Sequence, residues 1–124
     1  MSVAVSNHVS SPKGIEDDPV GSSVEITTAI IGGKWKGKII YILLRGTKRF
    51  GELRRLLGTA TQRSLTVQLR ELERDGVVAR KVYLEAPPKV EYSLTERGLE
   101  LKPAIEAMWS WGRKVESERS RLPD

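Results

Sequence analysis

Five side chains near the middle of the chain have the chemistry that reads the edges of DNA base pairs. Arginine can donate two hydrogen bonds to guanine, glutamine can pair with adenine in a similar two-point way, and small apolar groups fit the thymine methyl. The sequence supplies all three types within one short stretch: Gln62, Arg63, Thr66, Val67 and Arg70. These residues are therefore the candidates for direct base reading.

The stretch that carries these residues, 61–75, has the pattern of one amphipathic helix. Thr61 can cap its first turn, and Gly76 suits the left-handed position just after its end. Three leucines at spacings of four and three share one face, which predicts burial: Leu65, Leu69 and Leu72. The candidate base-reading residues then lie toward solvent. A surface helix with solvated charges would show the same pattern, so this helix alone leaves both interpretations open.

Three shorter helices are predicted before this one, over about residues 22–31, 34–44 and 51–57. A tight turn that contains Gly58 joins the last of them to the 61–75 helix. Two short helices joined in this way, the second of them basic at its start, are typical of a helix-turn-helix.

Two strands of a hairpin are predicted after Gly76. The first is Val77–Leu84 and the second is Val90–Leu94, and a stiff loop with Pro87 and Pro88 joins them. A hairpin directly after a helix-turn-helix is typical of the wing of a winged helix, here about residues 78–94. The predicted fold is mainly α with a small β-hairpin, a winged helix-turn-helix with helical dimerisation extensions at both ends.

The positive charge of the chain is concentrated around the 61–75 helix. The formal net charge is +5, and residues 48–81 contain nine Lys/Arg against four Asp/Glu, whereas the rest of the chain has twelve of each sign. This local excess favours a polyanionic partner, which we take to be double-stranded DNA. Seven basic residues are candidates for phosphate or wing contacts: Lys34, Lys48, Arg49, Arg54, Arg80, Lys81 and Lys89.

The two ends of the chain carry different patterns. Residues 1–19 lack periodicity and are predicted to be a disordered tail. Residues 20–116 are predicted to be a single winged-helix DNA-binding and dimerisation domain, and residues 117–124 are predicted to be a frayed end.

Thr95 is expected to cap a last helix, which Pro103 should kink or split. A four-three stripe in that helix exceeds what the domain's own core requires, which predicts a homodimer interface. The stripe comprises Leu101, Ile105, Met108, Gly112 and Val115, with Trp109 alongside.

The residue types exclude most other kinds of site. The only histidine, His8, lies in the predicted tail, and the sequence has no cysteine. Without a nucleophile–base pair or metal-ligand spacing we expect no enzyme activity, no metal and no cofactor. No apolar run approaches the length of a membrane span, and no signal-peptide pattern is present, so a cytoplasmic protein without a membrane partner is expected.

Several motifs in a specific order give the chain a family resemblance. They span about residues 22–112 and are Ile31-Gly-Gly-Lys-Trp35, Arg49-Phe-Gly-Glu-Leu-Arg54, Gln62-Arg63 with Leu65-Thr66, Leu69-Arg-Glu-Leu-Glu73, Asp75-Gly76, and Pro87-Pro-Lys-Val-Glu-Tyr-Ser-Leu-Thr95 with Gly98. In these motifs the chain resembles the HxlR-type transcriptional regulators, a branch related to the MarR regulators. The resemblance implies a prokaryotic winged-helix dimer that is built from its terminal helices and places one recognition helix per subunit in a major groove.

Residues and resemblance together predict a sequence-specific regulator. A two-fold homodimer requires an inverted-repeat operator, and the commonest consequence of binding there is repression. The alternative is a winged-helix protein–protein interaction module without specific DNA binding, because an acidic protein would meet the same positive charge.

One departure from the family concerns redox sensing. Many HxlR-type members carry a cysteine just before the first helix, and the corresponding residue here is Ser22. A serine hydroxyl cannot form the thiolate that such sensing needs. We therefore predict that any signal acts by non-covalent binding of a small-molecule effector, by abundance or through another partner.

Overall fold

The structure, a computed structural model, describes residues 11–121. A short 3-10 helix, Ile15–Asp17, precedes the first α-helix. The helices are α1 (Ser22–Ile31), α2 (Lys36–Leu43), α3 (Phe50–Leu57), α4 (Gln62–Arg74), α5 (Glu96–Leu99) and α6 (Lys102–Ser120). The strands are β1 (Lys48–Arg49), β2 (Val78–Tyr83) and β3 (Lys89–Leu94).

The three strands form an antiparallel sheet in the order β1-β3-β2. The predicted hairpin is confirmed as β2 and β3, which pair from Val78 opposite Leu94 to Tyr83 opposite Lys89. The third strand, β1, pairs with β3 at the edge of the sheet, where the sequence predicted only an extended link. Two residues are too few to show the alternation by which a strand is recognised in a sequence.

The core lies between α2, α4 and the inner face of the sheet. Ile39 and Ile40 of α2 are fully buried, as is Leu53 of α3. The predicted buried face of the 61–75 helix is confirmed in α4: Leu65, Leu69 and Leu72. Removing a side chain of this size from water stabilises the fold by about 1.5–3 kcal/mol. The leucines therefore determine which side of α4 remains free.

The N-terminal region departs from the predicted tail. Residues 1–10 lie outside the described residues, but part of the predicted 1–19 tail forms the 3-10 helix and a cap for α1. The Asp18 carboxylate accepts hydrogen bonds from the backbone N–H groups of Ser22 and Ser23, at 2.7 and 2.9 Å. These bonds, that of Ser23 first, lower the pKa of Asp18. A charged carboxylate at the positive end of α1 explains why order begins before the predicted boundary.

The C-terminal helix is confirmed as a split helix. Thr95 caps α5 by accepting a hydrogen bond from the Gly98 N–H at 3.0 Å, and α6 begins anew with Pro103 in its first turn, where a missing N–H costs nothing. The predicted fraying from residue 117 is wrong for 117–120, which complete α6, and residues 122–124 lie outside the described residues. Within residues 11–121, no helix combines the length and the apolar character needed to cross a membrane.

Together these elements form the predicted winged helix-turn-helix. Helix α3, the turn at 58–61 and α4 are the two helices and their connection, and the β2–β3 hairpin is the wing. The helix α4 is held by leucines on one side and by the sheet on another. Its remaining surface is what the fold offers to a partner.

Candidate nucleic-acid interface

The start of α4 is anchored on both sides of its cap. The Thr61 hydroxyl accepts a hydrogen bond from the Ser64 N–H at 3.0 Å, as the sequence predicted. The preceding residue, Ala60, is buried in the turn. The Thr61 cap and the buried Ala60 together keep the N-terminal half of α4 in a defined orientation.

The five candidate base-reading residues all lie on α4. Gln62, Arg63 and Arg70 are exposed, and Val67 is 41% exposed. Thr66 is half-buried, and its hydroxyl donates to the Gln62 carbonyl at 2.8 Å, so its methyl group is the part left for a thymine contact. The N-terminal half of α4 thus presents hydrogen-bonding and apolar groups side by side.

A groove of about 410 Å³ separates α4 from the sheet. Gln62, Thr66 and Arg70 line it from the helix, and Arg80 lines it from the wing. Arg63 and Val67 do not line the groove but lie on the outer side of α4, about 100° further round the helix. The base-reading candidates therefore form two rows, one toward the wing and one toward open solvent.

The basic residues of the sheet divide between its two faces. In the strand register Arg80 stands opposite Tyr92, which is buried, whereas Lys81 stands opposite Glu91 on the outer face. Lys89 also lies on the outer face, 3.7 Å from the Glu91 carboxylate. The register of β1 places Lys48 opposite Tyr92 and Arg49 opposite Glu91. The wing therefore carries cations both in the groove and on its outer surface.

Two predicted phosphate contacts lie outside the sheet. Arg54 is exposed on α3, the first helix of the helix-turn-helix. Lys34 lines a separate cleft between α2 and α6, and its ammonium lies 4.9 Å from the centroid of the Trp35 ring. The structure therefore does not bring Lys34 together with the residues of α4 and the wing.

A residue that sequence reasoning missed ties α2 to α4. The Lys36 ammonium lies 2.6 Å from the Glu71 carboxylate, and Lys36 is only 8% exposed. The hydrogen bond and the charge of Lys36 lower the pKa of the Glu71 carboxyl. A lysine on the same helical side as Ile39 and Ile40 was the available signal, because a buried ammonium requires a partner.

The C-terminal end of α4 is held by the elements that follow the wing. The Arg97 guanidinium donates to the Asp75 carbonyl at 2.9 Å, at the negative end of the helix. The Thr95 hydroxyl donates to the Gly76 carbonyl, and Gly76 adopts the predicted left-handed conformation with φ +77°. Helix α5 therefore positions α4 as directly as the turn at its start does.

Comparison of the chain with known proteins agrees with this geometry. The model of the HxlR-like helix-turn-helix family matches residues 30–120, which is most of the chain. The chain belongs to the HxlR family. It is a transcriptional regulator with a helix-turn-helix DNA-binding domain, and its relatives are regulators rather than enzymes.

Relatives match most of the length of this HxlR regulator. It is 57% identical over 106 residues to the uncharacterized HTH-type transcriptional regulator YdeP of Bacillus subtilis (strain 168), covering 86% of this chain and 83% of YdeP. A structure of the redox regulator HypR in its reduced form matches with TM-score 0.76 and 51% identity, over 81% of this chain and 99% of HypR. A structure of a MarR-family regulator from Enterococcus faecalis V583 matches with TM-score 0.70 and 40% identity, over 94% of this chain and 100% of that regulator.

The residues of the predicted dimer stripe in this HxlR chain differ in how deeply they are buried. Ile105 is 4% exposed and Leu101 is half-buried, and both pack on the subunit's own core, so assigning Ile105 to a dimer interface was wrong. The first turns of α6 lie against α2, and a regular stripe cannot tell an internal neighbour from an external one. Further along α6, Met108 and Trp109 are 52% and 51% exposed. Gly112 is exposed and Val115 is half-buried.

We expect Glu71→Gln to alter the pH dependence of stability in this HxlR protein. Because the pKa of Glu71 is lower in the folded state, its stabilising effect is complete above the ordinary value of 4.5 and is lost as the pH falls through the folded-state pKa. The melting temperature of the variant should therefore lie below that of the wild type at neutral pH. The gap should close in more acidic buffer, where the wild-type carboxyl is also neutral.

Thermal melts at a series of pH values would measure this difference. Glu73→Gln is the matched control, because Glu73 lies on α4 without an ion pair among residues 11–121. Equal melting curves for Glu71→Gln and Glu73→Gln at every pH would show that the Lys36–Glu71 pair does not hold α2 to α4.

Proposed function

We propose that this HxlR regulator is a homodimer that binds an inverted-repeat operator in a sequence-specific way and represses transcription. The observation that carries the proposal is the N-terminal half of α4. It exposes Gln62, Arg63 and Arg70, with Arg80 of the wing across the groove. A helix of this width and chemistry fits the major groove, where base pairs display distinct hydrogen-bonding patterns.

In this proposal the side chains have two kinds of role. The base-reading residues are Gln62, Arg63, Thr66, Val67 and Arg70. The residues that contact phosphate, from α3, β1 and the wing, are Lys48, Arg49, Arg54, Arg80, Lys81 and Lys89. Phosphate contacts set affinity and register, and base contacts set specificity. Lys34 is left out, because it lines the cleft between α2 and α6.

The proposed dimer uses the outer part of α6. Met108, Trp109, Gly112 and Val115 remain available there once Leu101 and Ile105 are assigned to the subunit's own core. A two-fold axis through this surface requires two half-sites in inverted repeat, about 10 bp apart or a multiple of it. A dimer seated on a promoter in the cytoplasm would occlude polymerase, which is the simplest route to repression.

Fluorescence anisotropy would test the proposal. The labelled duplexes are the upstream region of the protein's own gene and a scrambled version of it, titrated from low to physiological salt. A preference of at least about 1,000-fold for the native sequence at physiological salt would support specific operator binding. Equal affinity for both duplexes, together with a stoichiometric protein partner, would instead favour the protein-interaction module.

Arg63→Ala should weaken operator binding by about 1–3 kcal/mol if the guanidinium pairs with a guanine. Binding to the scrambled duplex should change much less, because a base contact contributes little to non-specific affinity. The measurement is anisotropy on both duplexes at one salt concentration. Arg45→Ala is the matched control, since Arg45 is exposed at the end of α2, where its guanidinium bonds Tyr41. Equal losses on both duplexes would remove Arg63 from the base-reading set.

We also propose that this regulator does not sense oxidants through a thiolate. Its 124 residues contain no cysteine, and Ser22 begins α1 with its backbone N–H bonded to Asp18. A serine hydroxyl stays protonated at physiological pH and is a poor nucleophile. Operator binding should therefore be the same before and after treatment with a thiol oxidant.

A further inference from the structure

Lys36 is the only charged residue that is buried among residues 11–121, although its neighbours Lys34 and Lys38 are exposed. Its ammonium lies 2.6 Å from the carboxylate of Glu71 on α4, whose side chain is 35% exposed. Taking an ammonium out of water is costly, and an apolar side chain of similar length often stabilises a fold about as well as such a pair does. Net stability therefore does not explain why a lysine occupies this position.

The ion pair fixes α4 at a second point along its axis. The first point is the start of the helix, where Thr61 caps the first turn and Ala60 is buried. Gln62 and Glu71 are nine residues apart. That separation is about 13.5 Å along the axis, so a shift of about 1 Å at Glu71 tilts the helix by about 4°. Apolar packing is non-directional, whereas the ion pair sets the distance between two particular atoms.

Lys36 also connects α4 to the part of the subunit that carries the proposed dimer surface. Helix α2 packs against both α4 and α6, and Lys36–Glu71 is the one ion pair between α2 and α4 among residues 11–121. The Arg97 bond to Asp75 holds α4 from the other side, at its end. In a two-fold dimer, the placement of α4 relative to α6 sets the distance between the two recognition helices. That distance must match the spacing of the half-sites.

We propose that Lys36 and Glu71 are positioning residues that set the half-site spacing accepted by the dimer. The inference rests on the proposed function, because it concerns how a dimer selects its operator. Buried polar groups have a comparable use in coiled coils, where a single buried asparagine fixes the helix register at a cost in stability. Here the pair fixes the angle of α4, and neither residue needs to contact DNA.

The variant that tests this role is Lys36→Met/Glu71→Gln, which removes the ion pair without changing the net charge or the length of either side chain. Because the buried ammonium is removed as well, its melting temperature should stay close to that of the wild type. Lys38→Met/Glu100→Gln is the matched control, since it makes the same changes at exposed positions that have no ion pair among the described residues. If the test variant unfolds below the assay temperature, Glu71→Gln alone replaces it.

Fluorescence anisotropy on a series of duplexes would measure the spacing preference. The series carries the inverted repeat from the protein's own upstream region, with its spacer shortened or lengthened by one base pair. Each change moves one half-site by about 3.4 Å and turns it by about 35°. The wild type and the control should lose about tenfold in affinity for either change, as for a mismatched base pair. The test variant should differ by less than about threefold across the series.

A distance measurement would test the same role without DNA. Because the sequence has no cysteine, Glu73→Cys introduces a single site for a nitroxide label, at an exposed position near the end of α4. Double electron–electron resonance then reports the distance between the two labels of a dimer. The distribution of this distance should broaden in Lys36→Met/Glu71→Gln and should remain as in the wild type in the control.

Two outcomes would overturn the inference. One is a test variant that retains both the spacing preference and the label distances of the wild type. The other is a wild type that accepts every spacer equally. Wild-type protein that binds none of the duplexes would instead refute the proposed function, and the label distances would then show by themselves whether the pair orients α4.

Discussion

Met108→Glu/Val115→Glu should convert the proposed dimer into monomers and lower operator affinity by about 100-fold or more. Two half-sites bound by one dimer gain roughly 10²–10⁴ in avidity over either half-site alone, and separate monomers lose that gain. The two residues lie seven apart on the same side of α6, and four glutamates would meet across the two-fold axis. Light scattering would measure the mass in solution, and anisotropy would measure the affinity.

A matched control lies on the opposite face of α6. Ser110→Glu/Ser117→Glu adds the same charge at two exposed positions that are also seven apart, and it should leave both mass and affinity unchanged. Circular dichroism melts of both variants establish that α6 remains folded. A Met108→Glu/Val115→Glu protein that is still dimeric would place the interface elsewhere. A monomer with full operator affinity would contradict the inverted-repeat operator.

Helix α4 could be predicted almost completely because its signals are local. The leucine spacing, the Thr61 cap and the left-handed Gly76 all lie within or beside the helix, and all three are confirmed. The hairpin was equally accessible, since the first strand is rich in β-branched and aromatic residues and the second alternates apolar and polar residues over Val90–Leu94. Such features depend on neighbours a few residues away, which a sequence displays directly.

Features that depend on a distant neighbour were missed or misassigned. The ion pair of Lys36 with Glu71 joins residues far apart in the chain, and the sequence does not indicate that these two side chains pair. Ile105 fits a dimer stripe and a core stripe equally well, and only the packing of α6 on α2 assigns it to the core. The short strand β1 exists only because β3 lies beside it.

The candidate interface was predicted at the level of its residues but not of its faces. Arg80 and Lys81 are adjacent in the chain and were grouped as wing cations. In the hairpin they lie on opposite faces, Arg80 toward the groove beside α4 and Lys81 toward the outside. Alternation along a strand would have separated them, once the inward position of Val78 had been recognised.

Gly98→Ala should lower the free energy of unfolding by about 3 kcal/mol, the upper end of what overpacking usually costs. A Cβ atom on Gly98 would overlap the carbonyl oxygen of Val77, a backbone atom, and would lie 3.1 Å from Leu94 Cδ2. Because backbone cannot rotate away, α5 would have to move off the link between α4 and β2. That movement would also loosen the Arg97 bond to Asp75, which holds the end of α4.

Urea denaturation of wild type, Gly98→Ala and Gly51→Ala would measure the effect. Gly51 lies in the first turn of α3, as Gly98 lies in that of α5, but an added Cβ there meets nothing within 4 Å. Gly51→Ala should therefore be neutral or stabilise the fold by up to about 1 kcal/mol, because alanine loses less backbone entropy. Equal stability of the two variants would show that α5 does not pack closely on Val77 in solution. The contact of α5 with Val77 would then not be among the interactions that hold the C-terminal end of α4.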